Sequence, residues 1–393
     1  MLIHVALISD QTIPNLIPAL MERPDRVYLV ATDAMLRKGM QQRLEVILDK
    51  HGIRTETVIG APDAGLATII EFAGQVITRI QQSDPAAQIV LNATGGKKLM
   101  ALGFVEVFRH HATRIVYTDT EHRQIECLPA GGKASADPIP MRDVLNVETY
   151  LAAQGFGIEC ARSDDAKWCA EADTRRAACE FLAERIAERD VQNLIGALNA
   201  LAQQALDKKR LVLVEARQTL SDDPRDPWPE ILGRLQNFGL LRSHGGNIEF
   251  TNVSSARFLN GDWLEEYAWH VAGDAKPFDV RVGVKGQWND ARSARNEFDV
   301  LATHVNELLF IECKTLRHGR EEAKDADLLY KADSLGHDVR GLFGTTWLIT
   351  ARAPESEMRG RARQQGVTLL GPAEIAGLGG QIRNWMAGVV RRR

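Results

Sequence analysis

Glu297-Phe298-Asp299-Val300-Leu301-Ala302-Thr303-His304-Val305-Asn306-Glu307-Leu308-Leu309-Phe310-Ile311-Glu312-Cys313-Lys314-Thr315 reads as two strands joined by a tight turn at Val305-Asn306. Pairing His304 with Glu307 sets the register, and counting back places Asp299 opposite Glu312 on one face of the sheet. A slip of two residues would set Asp299 opposite Lys314 on that same face, so the clustering survives the error. Opposed carboxylates, with Cβ atoms about 4.5–5.5 Å apart, repel and weaken a sheet unless something neutralises them. A divalent cation does so. Hard oxygen donors favour Mg2+ or Mn2+, and Lys314 is placed to hold a water or a scissile phosphate. Asp299, Glu312 and Lys314 are therefore candidate catalytic residues, and the two carboxylates are candidate metal ligands.

The order Asp299, then Glu312-Cys313-Lys314, resembles the Asp…Glu-x-Lys pattern of restriction-endonuclease-like nucleases. A helix beginning near Phe258-Leu259-Asn260-Gly261-Asp262 would pack Trp263, Leu264 and Tyr267 on the sheet. Glu265 is then a candidate third metal ligand and catalytic carboxylate, as a first-helix Glu is in many such nucleases, with Glu266 facing solvent. Lys331 is a candidate phosphate contact, while His304 and His318 read as solvated turn or loop histidines rather than catalytic bases.

Toward the N-terminus the pattern is different. Apolar runs at 3–8, 27–31, 55–59, 88–91 and 114–117 alternate with helical periodicity near 13–22, 34–51, 65–82 and 97–111, and a closing strand follows at 124–128. That rhythm predicts an open, doubly wound parallel sheet of Rossmann type, whose ligands sit beyond the carboxyl ends of the strands. Asn92-Ala93-Thr94-Gly95-Gly96-Lys97-Lys98 lies where the fourth strand passes into a helix. The glycines permit a tight turn and Thr94 can cap. Lysines in a first helical turn oppose the macrodipole, each by roughly 0.3–1 kcal/mol, and so ask for an anionic ligand such as a phosphate. The other reading is a plain turn with solvated lysines. Ser9-Asp10-Gln11 ends the first strand, and at a topological switch point the two strand ends would define one pocket. Neither a Walker nor a dinucleotide glycine fingerprint is present.

Between Pro129 and Pro140 the composition shifts, giving expected divisions at 1–137, 138–255 and 256–393. The middle piece reads as helical, with a helix at 228–238 and a hairpin turning at Gly245-Gly246 that together resemble a winged-helix element. A hydrophobic share of 45%, a charged share of 25% and 393 residues describe a globular chain of two or three domains. A net charge of -4 excludes non-specific coating of duplex DNA, so any nucleic acid must be engaged locally. Arg391, Arg392 and Arg393 read as a solvated tail. Five cysteines without a C-x-x-C pair argue against disulfides or a zinc finger, and no apolar run is long enough for a membrane span. A cytoplasmic protein is expected.

Taken together, Ser9-Asp10-Gln11, the 92–98 turn, the run at 258–266 and Asp299 with Glu312-Cys313-Lys314 resemble the CRISPR-associated Rossmann-fold (CARF) nucleases of type III CRISPR systems. The resemblance implies a CARF sensor for cyclic oligoadenylate, a helical or winged-helix-like connector and a restriction-endonuclease-like α/β nuclease domain. It further implies a homodimer with one cyclic tetra-adenylate across the sensor interface, contacted by Ser9, Asp10, Gln11, Asn92, Thr94, Gly95, Gly96, Lys97 and Lys98. Cleavage of RNA, DNA or both would depend on Mg2+ or Mn2+. A single glycine near Arg340-Gly341-Leu342-Phe343-Gly344, where a pair is expected, departs from the family pattern. The competing reading is a non-catalytic, ligand-sensing transcriptional regulator that binds DNA through residues 229–250.

Overall fold

The computed structural model describes residues 1–207, 212–289, 294–315 and 343–388, together with 335–336, 338–339 and 341. Lys331, His318, Arg340 and the arginine tail lie outside the described residues. The chain divides into two compact units, the first built mainly from Met1–Gly157 and the second mainly from Ile158–Gln287, Ala294–His304 and Leu308–Arg393.

In the first unit, strands β1 (Leu2–Leu7), β2 (Arg26–Val30), β3 (Arg54–Val58), β4 (Gln88–Asn92) and β5 (Arg114–Asp119) pair in parallel in the order 3-2-1-4-5. Helices α1 (Ile13–Glu22), α2 (Asp33–Arg37), α3 (Met40–Lys50), α4 (Leu66–Ser83) and α5 (Lys98–Phe108) make the crossovers. The expected helix over 34–51 is broken at Gly39, whose φ of 69° is left-handed. β6 (Gln124–Leu128) and β7 (Ile139–Pro140) extend the sheet antiparallel, so the Pro129–Pro140 stretch lies inside this unit, and α6 (Val147–Gln154) follows. The strand order reverses between β1 and β4, and the Ser9–Gln11 and Asn92–Lys98 segments therefore leave neighbouring strand ends. The sheet is sealed by continuous apolar strands, with Ile3, Val5, Leu7, Ile89 and Leu91 all buried against Phe104 and Phe108 of α5.

The second unit opens with a strand that the helix-rich composition hides: β8 (Phe156–Cys160), entered through Gly155 in the left-handed region. Then come α7 (Ala166–Arg185), α8 (Arg189–Ala205) and the short pair β9 (Leu206–Asp207) and β10 (Val212–Leu213). The winged-helix-like part holds α9 (Trp228–Asn237) and the expected hairpin of β12 (Leu241–His244) and β13 (Asn247–Phe250). β11 (Arg217–Thr219) adds a third strand that the sequence reading lacked. After α10 (Val253–Arg257), a π-helical turn (Phe258–Asp262) leads into α11 (Trp263–Ala275). β14 (Asp279–Trp288), β15 (Arg295–His304), β16 (Glu307–Lys314) and β17 (Gly344–Thr350) follow. Helix α12 (Ser356–Gln364), strand β18 (Val367–Leu370) and helices α13 (Pro372–Ile375) and α14 (Leu378–Met386) complete the unit. The mixed sheet runs β18-β17-β16-β15-β14-β8, with β16, β17 and β18 parallel. β18 is a strand that the sequence reading lacked, because Val367-Thr-Leu-Leu is too short to show a period of two. Trp263, Leu264 and Tyr267 are buried on this sheet, as their helical spacing predicts. Among the described residues, no helix is long and apolar enough to cross a membrane.

The tightest backbone approach lies at the switch point. A Cβ on Gly95 would stand 1.8 Å from the carbonyl oxygen of Leu7, so nothing larger than glycine lets the 92–98 turn lie on the end of β1. Gly95→Ala should therefore destabilise the protein by about 1–3 kcal/mol in urea unfolding; unchanged stability would show that the turn does not need this approach.

Candidate active site

Val305 and Asn306 have φ of 47° and 62°, the two positive values that a two-residue type I′ hairpin requires. The turn sets His304 across from Glu307 and thereby Asp299 across from Glu312. Contacts agree with that register: Oδ2 of Asp299 accepts the Cys313 amide at 2.7 Å, and Nζ of Lys314 stands 2.6 Å from Glu312 Oε1 and 3.5 Å from Asp299 Oδ2. The sequence reading put these three side chains together, and the structure does too.

Glu265 reaches the same cluster from the first turn of α11. Gly261, with φ 133°, forms the π-helical turn before it, and a Cβ there would come 2.4 Å from Thr315 Oγ1. That absence of a side chain lets the helix start against the end of β16. Asn199 on α8 fixes the junction, its Nδ2 donating to the Asn260 carbonyl at 2.6 Å and to Thr315 Oγ1 at 3.1 Å. Glu266, expected in solvent, is instead 2% exposed and takes both nitrogens of a bidentate Arg175 fork at 2.8 and 3.0 Å. The expectation failed because the middle segment packs α7 on the face of α11 that the sheet leaves open. His304, read as a solvated turn residue, is partly buried with its ring 6.3 Å from that of Trp385.

Burial and mutual repulsion dominate the electrostatics. Burial first, then the neighbouring Glu312, push the Asp299 carboxyl up to about 7. Burial, then Asp299, hold the Glu265 carboxyl well above its usual range. Lys314 is also desolvated, but Asp299 and Glu312 outweigh that and raise its ammonium. Among the described residues, the cluster opens into a cleft of about 430 Å3 lined by the carboxylates Asp207, Asp262, Glu265, Glu297, Asp299 and Glu312 against Arg257, Lys285 and Lys314. Such a cleft repels a phosphodiester. The excess of hard oxygen donors fits Mg2+ or Mn2+, which would restore the balance. Among the described residues no three His, Cys, Asp or Glu side chains already converge as a metal cage, since Lys314 holds oxygens of both Asp299 and Glu312. Sequence reasoning missed Asp207, Arg257, Asp262, Lys285 and Glu297; Glu297, two residues before Asp299 on β15, and Asp262, three before Glu265, could have been found by spacing, whereas the other three come from other segments.

In the first unit, several expected ligand contacts prove to build the turn. Asn92 is buried, its Nδ2 donating to the Pro14 carbonyl at 2.9 Å while its Oδ1 accepts from the Thr94 amide and hydroxyl. Thr94 does not cap α5; its hydroxyl accepts the Thr118 amide at 2.8 Å, and Lys97 occupies the N-cap without a side-chain bond. Lys97 is exposed and paired with Asp63 at 2.6 Å, so part of its charge is already met. Asp10 pairs with Lys38 at 2.7 Å, and Ser9 donates to the Gln11 carbonyl. Gly96 and Lys98 remain at the uncapped helix start.

A doubly wound sheet with an anion-suited switch point, carried with a mixed sheet bearing Asp…Glu-x-Lys, defines a sensor joined to a nuclease. Family comparison agrees: the Card1 CARF domain matches residues 3–150 and the Card1-like endonuclease domain matches residues 253–389. The chain belongs to the CARF-domain nucleases. Protein VC1899 from Vibrio cholerae has a similar structure, with 23% identity, 98% of each chain covered and a TM-score of 0.84. Can2 from Sulfobacillus thermosulfidooxidans, solved with cyclic tetra-adenylate, shares 23% identity over 98% of this chain and 100% of that one at a TM-score of 0.75. A type III CRISPR defence DNA nuclease activated by cyclic oligoadenylate gives 0.53 at 16% identity, covering 96% of this chain and 51% of that one. Among curated protein sequences, none matches this chain.

Asp299 titrates near 7 when folded and near 3.8 when unfolded, so its protonated form contributes stability that is complete below about pH 4 and lost as pH rises through 7. In chelator at pH 8, Asp299→Asn should be more stable than wild type by about 1–3 kcal/mol, the two converging below about pH 4 in urea titrations. A wild type that is the more stable at pH 8 would contradict the repulsion described.

Proposed function

We propose that this protein is a nuclease of type III CRISPR antiviral defence, switched on by cyclic tetra-adenylate and cutting RNA, DNA or both with Mg2+ or Mn2+. The observation that carries the reading is the buried Glu265, Asp299, Glu312 and Lys314 cluster at the floor of an acid-rich cleft. Glu265, Asp299 and Glu312 are the residues that would hold the cation. When bound, it supplies charge that offsets the carboxylates and acidifies a water. Lys314, beside both acids, would orient a water and donate to the phosphoryl oxygens as charge builds there. Asp299 stays aligned through the Cys313 amide.

On the sensor side, Asn92, Thr94 and Gly95 shape the turn, and Ser9, Asp10, Gln11, Gly96, Lys97 and Lys98 offer their polar groups to the ligand. An uncapped helix start with two cations suits a cyclic phosphodiester. Leu66, Leu99 and Leu102 are 45–62% exposed on α4 and α5 close to that turn, an apolar face suited to a homodimer. A two-fold partner would present the same turn to a cyclic tetranucleotide. Such a ligand and substrate would be met in the cytoplasm, which is the location we propose.

The regulator reading is weaker. Residues 229–250 hold two arginines, Arg234 and Arg242, against two acids, Glu230 and Glu249, and Arg234 lies over the Phe181 and Phe238 rings. That even balance gives the segment no net positive charge with which to draw in duplex DNA.

With purified protein, RNA and plasmid DNA, cleavage should require Mn2+ or Mg2+ and rise with cyclic tetra-adenylate. Glu312→Ala should abolish cleavage while leaving calorimetric binding of the cyclic nucleotide unchanged; full activity in this variant would sink the assignment. Lys97→Glu combined with Lys98→Glu should abolish that binding, and an unaltered affinity would move the pocket elsewhere on the sheet.

A further inference from the structure

Arg162 is the buried charge that the mechanism leaves unused. It begins a 3-10 turn (Arg162–Asp164) directly after β8, and its side chain is only 15% exposed. The turn is latched along β14: the Val282 amide donates to Ser163 Oγ at 3.3 Å, and Asp164 pairs with Arg281 at 3.1 Å. Next along the strand lies Gly283, with φ 60° in the interior of β14. Val282 pairs with Val300 and Val284 with Phe298, which sets Gly283 across from Asp299. A Cβ on Gly283 would stand 2.2 Å from Arg162 Nε and 2.9 Å from its Cγ. The side chain of Arg162 therefore fills the place that a residue opposite Asp299 would otherwise occupy. An interior strand glycine at positive φ costs stability, and here it admits one particular arginine.

From that position the guanidinium lies over the Trp168 ring at 5.4 Å, donates from Nη1 to Asp262 Oδ2 at 3.2 Å, and holds Glu265 Oε2 through Nη2. Its Nε is buried without a partner, so both side-chain bonds of the fork go to the carboxylates of the α11 start. Glu265 is held by one oxygen, which leaves Oε1 to other partners. We infer that Arg162 is a positioning residue for the metal site: it fixes the Glu265 carboxylate beside Asp299 so that the free oxygen can serve a divalent cation. The inference rests on the metal reading proposed above. It opposes the simple electrostatic expectation, because a cation beside the site should weaken metal binding and its removal should strengthen it. Groups that orient a ligand typically change metal affinity by about 10–100-fold when lost.

The test measures Mn2+ binding to the full chain by calorimetry, with the Mn2+ EPR signal as a second readout. The arms are wild type, Glu312→Ala, Arg162→Ala, Arg162→Lys, Glu265→Gln and the Arg162→Ala/Glu265→Gln double variant. Arg162→Ala should weaken Mn2+ about 10–100-fold. Arg162→Lys, which keeps the charge but loses the fork, should also bind more weakly, and it decides the matter should the alanine variant not fold. In the Glu265→Gln background, removal of Arg162 should add no further loss, whereas a merely structural role would give additive losses. Unchanged or tighter binding in the Arg162 variants, with Glu312→Ala deficient, would overturn this inference alone. Binding to wild type no tighter than to Glu312→Ala would overturn the metal reading itself.

Discussion

Repulsion among three carboxylates in one desolvated cleft is the constraint around which the second unit is arranged. Glu265, Asp299 and Glu312 come from a helix and two strands, and isolated charges of one sign do not share a dry site without compensation. The compensation is local and redundant. Lys314 reaches both strand acids, Arg162 takes the helix acid, and the Cys313 amide holds Asp299. Each of those partners depends on a backbone irregularity: the type I′ turn at Val305-Asn306, the π-helical turn at Gly261, and the left-handed Gly283 in β14. Regular strands and a regular helix would not bring the four charged groups together.

The first unit solves a different problem with similar means. A cyclic phosphodiester is large and anionic, and a parallel sheet offers open amides only where its strand order reverses. Gly95 allows the fourth crossover to lie directly on the end of β1, and Asn92 and Thr94 satisfy the buried polar groups that this contact creates. Their role is to stiffen the cradle, which leaves Gly96, Lys97 and Lys98 at the rim.

Much of this was legible in the sequence, for identifiable reasons. The doubly wound parallel sheet, though not its strand order, was legible because each buried parallel strand is a continuous apolar run bounded by helical periodicity. The Asp299, Glu312 and Lys314 cluster was legible because a two-residue turn leaves one register. What escaped depends on contacts between distant segments. Glu266 was expected in solvent because only the sheet was considered as its neighbour, and Arg175, some ninety residues earlier, could not be inferred from spacing. β8 and β18 were too short and too embedded in helical composition to register. Arg162 carried no signal at all, although Gly283, interrupting an otherwise regular strand opposite Asp299, was a mark that something must approach closely there.

The charge balance also explains why such a protein can exist in a cell full of nucleic acid. With a net charge of -4, the chain exerts no long-range pull on a polyanion, and among the described residues its cleft holds twice as many carboxylates as cations. On the proposed reading, a bound cation would admit the substrate. On this reading the metal has two tasks that one group of residues sets together: it relieves the repulsion that raises Asp299 and Glu265, and it turns the cleft from one that rejects a phosphodiester into one that binds it. A surplus of fixed positive charge would have made the site bind nucleic acid constantly. The acid excess instead makes binding conditional, which is the electrostatic form that a nuclease held in reserve requires.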